Sequence, residues 1–257
     1  MIRPPAGAPD LVDLGCGTGA ITAGLAERFG ARSVLGIDSS PEMLDRAGTH
    51  AGEAVRFEIG DIATFDRPNQ FDILVSNAAL HWTDDHRSVL ERWSRALRPG
   101  GQLAVQLPAN FAHPSHRVAT EIGADNYFTR RWRAGGPPRD RGEFVLTPAA
   151  YAHLLDELGF EEQHVSLHVY PMRLPSSADV LAWVRGTLLV PYRAALDPAD
   201  YAEFEARYAA ELARRIGGES GERRPYFYGF DRILMWGRRP DRPAGRSPDR
   251  SPDHGAR

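Results

Sequence analysis

Apolar and polar positions change period several times along this chain, and each change marks an element. Leu11 and Val12 open a short apolar run that reaches Asp13 and then a glycine-rich turn, Gly15-Cys16-Gly17-Thr18-Gly19. Ala20 to Ala26 takes helical spacing. Val34-Leu35-Gly36-Ile37 is a second apolar run and ends in Asp38. Ser40 before Pro41 has the form of an N-cap with proline at the first helical position. Val55 to Ile59 alternates as a strand and delivers Gly60-Asp61-Ile62. Phe71 to Ser76 reads as a strand buried on both faces, and Asn77 to Trp82 follows it. Helical periodicity from Asp84 to Leu97 stops at Arg98-Pro99-Gly100-Gly101, and Gln102 to Leu107 is a fifth strand. Buried strands alternating with helices predict an α/β fold, a doubly wound and mostly parallel sheet with helices on both faces.

The second half is less regular. Asn110 to Glu143 has no clean period, so 110–147 is expected to be a lid or loop insertion. Pro148 to Leu158 predicts a helix, followed by Gly159 and a strand from about Gln163 to Tyr170. Another helix starts at Ser176 to Asp179 and runs through Trp183. Pro198 to Arg215 is strongly helical, with Tyr201, Phe204, Tyr208 and Leu212 on one face, a stripe suited to cap packing. Phe227 to Gly237 alternates as a last strand, and 240–257 has the composition of a disordered tail.

Composition narrows the function classes. In 257 residues, 42% hydrophobic and 25% charged is ordinary for a globular chain with a core. A net charge of -3 pulls toward neither nucleic acid nor anionic membrane. Arg130, Arg131, Arg133, Arg139 and Arg141 around Trp132 offer an RNA contact, but a solvated lid fits the overall charge better. The single cysteine, Cys16, excludes an internal disulfide and a cysteine zinc cluster. His81, His86, His113 and His116 have no metal-ligand spacing, so no metal is expected. No apolar run spans a bilayer and Met1 to Pro5 has no signal-peptide character, so the expectation is a cytoplasmic protein, a monomer with a small-molecule substrate.

A strand, a glycine turn, a helix and a second strand ending in an acid form a nucleotide-binding half. The glycines let backbone approach a ligand, and Asp38 can accept from ribose hydroxyls. Two cofactors compete. Gly15-x-Gly17-x-x-Ala20 meets the dinucleotide pattern, which would make the chain an NAD-binding oxidoreductase. Gly15-x-Gly17-x-Gly19 with Asp13 upstream instead resembles motif I of the class I S-adenosyl-L-methionine (SAM) methyltransferases. A carboxylate there suits the amino group of a methionine moiety, directly or through water, and sits badly beside a pyrophosphate; the plainer reading is that Asp13 caps the turn. Asp61 can accept from an adenine amino group, with Ile62 against the ring and Met43 facing it or filling core. The expected cofactor set is completed by Cys16, Ser39, Asn77 and Ala78.

The resemblance becomes narrower along the chain. Asp13 to Gly19, Gly36 to Met43, Gly60-Asp61, Ser76 to Trp82, Leu97 to Gly101 and Ala104 to Asn110 together look like the trans-aconitate 2-methyltransferase family. It continues through Tyr151 to Gly159, Trp183-Val184 and Phe230 to Ile233. It implies a class I methyltransferase fold: a Rossmann-like sheet with its last strand antiparallel and an inserted helical cap. On this reading 1–109 is the SAM-binding half, 110–147 the lid, and 148–239 the rest of the sheet with the cap. Two departures stand out. Family members carry further residues ahead of the first strand, and a basic residue often stands where this chain has Val190 before Pro191. The second departure predicts an acceptor with fewer carboxylates than aconitate, or a longer apolar tail.

Methyl transfer is an in-line displacement that needs a well-held nucleophile and a dry site. A carboxylate is ionised at pH 7 and needs no base, whereas a phenol or amine acceptor would use His81 as one. His81 is therefore a positioning group, a base, or a histidine capping a helix start; Trp82 is a wall able to touch the sulfonium, or an anchor. Arg232, inside an apolar strand, faces either solvent or the pocket, and the resemblance favours the pocket. Gln106 and Asn110 at the fifth strand's end can donate to carboxylate oxygens, with Arg193 and Arg185 as further cap cations. The expected function is methylation of a carboxylate on a small, trans-aconitate-like acid. The alternatives are a phenol or amine methyltransferase and, more distantly, a non-catalytic SAM-binding module or the oxidoreductase.

Overall fold

A computed structural model describes residues 2–133, 135–217 and 225–241. The first half comprises β1 (Asp10–Leu14), α1 (Ala20–Phe29), β2 (Ser33–Asp38), α2 (Pro41–Ala47), β3 (Val55–Ile59), β4 (Phe71–Asn77), α3 (His86–Ala96) and β5 (Leu97–Pro108). The second comprises α4 (Pro114–Gly123), α5 (Asn126–Thr129), α6 (Pro148–Glu157), β6 (Glu162–Leu174), α7 (Asp179–Arg185), α8 (Val190–Ala195), α9 (Pro198–Ile216) and β7 (Tyr226–Arg238). Among the described residues these strands form one sheet in the order β3-β2-β1-β4-β5-β7-β6. Pairing is parallel from β3 to β5, while β7 runs antiparallel to both β5 and β6. This is the α/β class I methyltransferase topology expected from the sequence. The winding reverses between β1 and β4, and a crevice opens at the carboxyl ends of those strands.

Apolar runs on β1, β4 and β5 bury a core with Leu90 and Trp93 of α3 and Tyr151 and Leu155 of α6. A second apolar cluster belongs to the cap. There Phe204, Tyr208 and Leu212 of α9 meet Val118 of α4, Phe128 of α5 and Val184 of α7, so the aromatic stripe packs the cap together.

The structure differs from the sequence reading at several boundaries. The helix expected from Asp84 starts at His86, because Asp85 caps it by accepting from the Ser88 amide at 3.1 Å. β5 begins at Leu97 and absorbs the Arg98–Gly101 turn as a register shift: Phe71 pairs with Leu97, yet Ile73 pairs with Gln102. The segment 110–147 is not aperiodic loop, since it carries α4 and α5. The buried face of α4 is Ser115, Val118, Ala119 and Gly123, so the helix is amphipathic but carries few large apolar side chains to mark it in sequence. β6 is longer than expected and lies at the sheet edge, paired along its length with β7. Of the tail, Pro240 accepts from the Gly100 amide at 2.8 Å and Asp241 pairs with Arg238; 242–257 lie outside the described residues.

Candidate active site

The crevice holds a cavity of about 1000 Å³. Gly15 and Gly17 form its floor, and the strand ends supply Asp38-Ser39, Asp61-Ile62 and Asn77-Ala78, with Met43 from α2. The glycine turn is pinned to β2: the Gly15 and Cys16 amides donate to the Ile37 carbonyl at 2.8 and 3.0 Å. The Asp38 carboxylate accepts from the Gly17 amide at 2.8 Å and the Ser40 amide at 2.9 Å. Each oxygen keeps a lone pair for a ligand hydroxyl, and the backbone bonds fix the orientation of both. Gly15 has φ 80, and a Cβ there would lie 2.1 Å from that of Ala79. Gly17 has φ 54 and open space where its Cβ would be. Ala78 adopts φ 55 without being glycine, a conformation uncommon outside functional turns. A pinned acid, an open glycine and strand-end acids fit an adenosine cofactor.

Three residues expected on this wall lie behind it. Asp13 is 1% exposed and accepts from the Thr22 hydroxyl at 2.7 Å. Burial pushes its carboxyl up to about 6; the Thr22 bond opposes this and the Asp38 charge adds to it. Of the two modes expected, direct contact or contact through a water, its burial behind the wall suits the second, with its charge acting at a distance. Cys16 is also off the wall, its thiol pushed up to about 12 chiefly by burial. Gly19 caps α1 at φ 78, where a Cβ would strike the Phe57 ring at 2.6 Å, so its role is packing.

A second cavity, about 600 Å³, lies between the sheet and the cap, and Trp82 and Arg141 line both cavities. His81 lines the second and is buried, with Nδ1 unpartnered. Burial lowers its pKa to about 4, and the nearby His86, Arg141 and Arg232 add to the effect. Its ring lies 4.8 Å from that of Trp82, which is 54% exposed and carries the Arg141 guanidinium 5.6 Å from its own ring centre. Asn110 lines the cavity and donates to the Tyr228 hydroxyl at 3.0 Å. Arg232 also faces it, its Nη1 donating to Gln106 Oε1 at 3.1 Å and its Cζ 4.4 Å from the Phe230 ring centre. Burial lowers the Arg232 pKa, and among the described residues no carboxylate pairs with it. Two expectations need correction. Gln106 does not line the cavity but holds Arg232. Arg193 is turned to solvent because its neighbour Tyr192 is buried in the cap.

A model of the methyltransferase domain family matches residues 11–101. The trans-aconitate 2-methyltransferase of Deinococcus radiodurans is 45% identical over 239 residues, covering 90% of this chain and 87% of the relative. The chain belongs to the trans-aconitate 2-methyltransferase family. The enzyme of that name from Streptomyces coelicolor is 40% identical over 218 residues, covering 81% of this chain and 70% of its own. The YcgJ protein of Bacillus subtilis shares the fold, with a TM-score of 0.59 at 16% identity, covering 91% of this chain and 92% of that one. As a member of this family the chain is a SAM-dependent methyltransferase. The oxidoreductase reading of Gly15-x-Gly17-x-x-Ala20 is thereby set aside.

Sequence reasoning missed part of the methyltransferase's second cavity. Within the arginine cluster, Arg131 and Arg133 pair with Asp200 and Asp197 at the start of α9, as a solvated surface would. Arg139 and Arg141 instead pair with Asp84 and line the cavity, beside His116 and Trp183. The one available signal was Asp84, an acid two residues after Trp82.

Proposed function

We propose that this methyltransferase transfers the SAM methyl to a carboxylate of a small organic acid. The observation that carries the reading is Arg232, a half-buried cation with no carboxylate partner among the described residues, facing a cavity that meets the cofactor cavity at Trp82. The named activity of the relatives supports it. SAM bound in the first cavity would supply an electrophilic methyl. Asp38 would hold its ribose, Asp61 and Ile62 would receive its adenine, and Asn77 and Ala78 would line the turn toward its methionine moiety. Arg232, held by Gln106, takes the acceptor carboxylate, and Asn110 donates to it. His81 remains neutral and positions the acceptor, while Trp82 walls the junction against water. A base-assisted reaction on a phenol or amine is disfavoured, because a histidine titrating at about 4 is a weak base at pH 7.

The test is a screen of acids, phenols and amines with labelled SAM. A base-labile methyl ester formed only from acids is the expected product; base-stable ethers or N-methyl products would overturn the reading. Gln106→Leu tests the Arg232 clamp: the acceptor KM should rise about three- to tenfold, the size of one typical net hydrogen bond, with kcat little changed. Equal falls in kcat and SAM affinity would place Gln106 outside acceptor binding.

A further inference from the structure

We propose that the acceptor is an amphipathic monocarboxylic acid, its one carboxylate on Arg232 and its apolar body against the cap wall. This rests on the carboxyl-methylation reading and names its substrate class.

Charge limits how many carboxylates the cavity can take. The cavity's guanidinium groups are Arg139, Arg141 and Arg232. Arg139 and Arg141 both pair with Asp84, the latter at 2.8 Å, and Asp140 adds a second carboxylate to the wall. His81 and His116 are each lowered to about 4, mainly by burial, so both are neutral at pH 7. The balance is one positive charge, and Arg232 is the one of the three without an ion-pair partner among the described residues. One carboxylate is neutralised there. The other two of a tricarboxylate would enter a partly desolvated space that holds no further net positive charge, which is unfavourable.

On the remaining wall, Trp183, Leu188, Val190, Pro191 and Phe230 face the same cavity. Trp183 and Val190 are 44% and 40% exposed, large apolar surface that folding leaves uncovered. The two cap cations expected near the acceptor lie elsewhere: Arg185 pairs with Glu205 at 2.8 Å and Arg193 faces solvent. The cavity's 600 Å³ falls within the range of drug-sized ligand sites, with room for several methylenes beyond a carboxylate. Each methylene that leaves water is worth about fourfold in affinity. The reaction balances without a proton: the carboxylate oxygen bonds to the methyl carbon as the carbon–sulfur bond breaks. The electron pair of that bond goes to sulfur, leaving a neutral ester and a neutral thioether.

The test compares butyrate, hexanoate, octanoate and decanoate with trans-aconitate as acceptors of labelled methyl, reading kcat/KM. In parallel, the same acids are titrated against tryptophan fluorescence with S-adenosylhomocysteine present, since Trp82 and Trp183 line the cavity. We expect kcat/KM to climb about two- to fourfold per methylene until the cavity is filled, with octanoate at least tenfold above trans-aconitate. Val190→Arg should lower the octanoate value and raise that of trans-aconitate; its thermal melt checks the fold. A preference for trans-aconitate, or no dependence on chain length in both rate and binding, overturns the monoacid proposal and leaves carboxyl methylation standing. Ester from none of the acids, with SAM still bound, overturns the carboxyl reading itself.

Discussion

Arg232→Met is expected to raise the acceptor KM about 30- to 150-fold with SAM affinity unchanged. Methionine keeps the apolar stem and removes the charge. A carboxylate docking opposite it meets no cation, since Arg139 and Arg141 are committed to Asp84. Losing one partner of a desolvated charge pair costs about 2–5 kcal/mol; Arg232 is only half-buried, so about 2–3 kcal/mol is the appropriate end. The melting temperature should hold or rise, because a desolvated cation without a carboxylate contributes little to folding. His81→Gln is the counterpart. Neutral His81 has no proton to take from a carboxylate, so kcat should fall by less than about tenfold, the loss of one positioning hydrogen bond. At saturating SAM, wild-type kcat should show no loss between pH 8 and pH 6, where a histidine base of ordinary pKa would protonate. Collapse of kcat in His81→Gln together with indifference to Arg232→Met would sink the organic-acid assignment and favour a base-assisted acceptor.

Asp13→Asn should strengthen the ligand-free fold near neutral pH and weaken SAM binding about tenfold or more. The folded carboxyl titrates at about 6 against an ordinary 3.8. Its stabilising contribution is therefore full below pH 3.8 and is lost as pH rises through about 6. The gap, at about 1.36 kcal/mol for each pH unit, amounts to about 3 kcal/mol. Asparagine stays neutral and still offers an oxygen to Thr22, so it avoids that loss. The same ionised Asp13 favours the cationic amino end of SAM, so wild-type affinity should fall as pH drops below about 6, while the variant's stays flat. Thermal melts from pH 4.5 to 7.5 and calorimetric SAM titrations read both effects; a melting difference that ignores pH would disprove the linkage. Asp38→Ala separates ligand binding from burial. It strands the Gly17 and Ser40 amides, so it should lower affinity and stability together, by about 1–3 kcal/mol.

How much was legible depended on whether neighbours in space were neighbours in sequence. β1, β2 and β4 were readable as buried runs because a parallel sheet covered on both faces demands apolar residues on both sides. The wall of the first cavity followed from them, since each strand carries its acid or turn at its own carboxyl end: Asp38 at the end of β2, Asp61 after β3, Asn77 at the end of β4. α4 escaped because its buried face is largely small or polar.

By itself, then, the sequence determined the α/β class, the strand-end acids and the glycine turn between β1 and α1. These are local consequences of period, glycine conformation and capping. Only the tertiary structure decided which charges are free. Arg139 and Arg141 looked like a solvated cluster until the chain brought them to Asp84, more than fifty residues earlier. Arg232 was ambiguous until β5 placed Gln106 beside it and the cap closed a cavity over it. Asp13 could have met a ligand directly or through a water until the fold buried it behind the glycine turn, which also raises its pKa. Ion pairing and desolvation depend on distance and enclosure, and a one-dimensional pattern specifies neither.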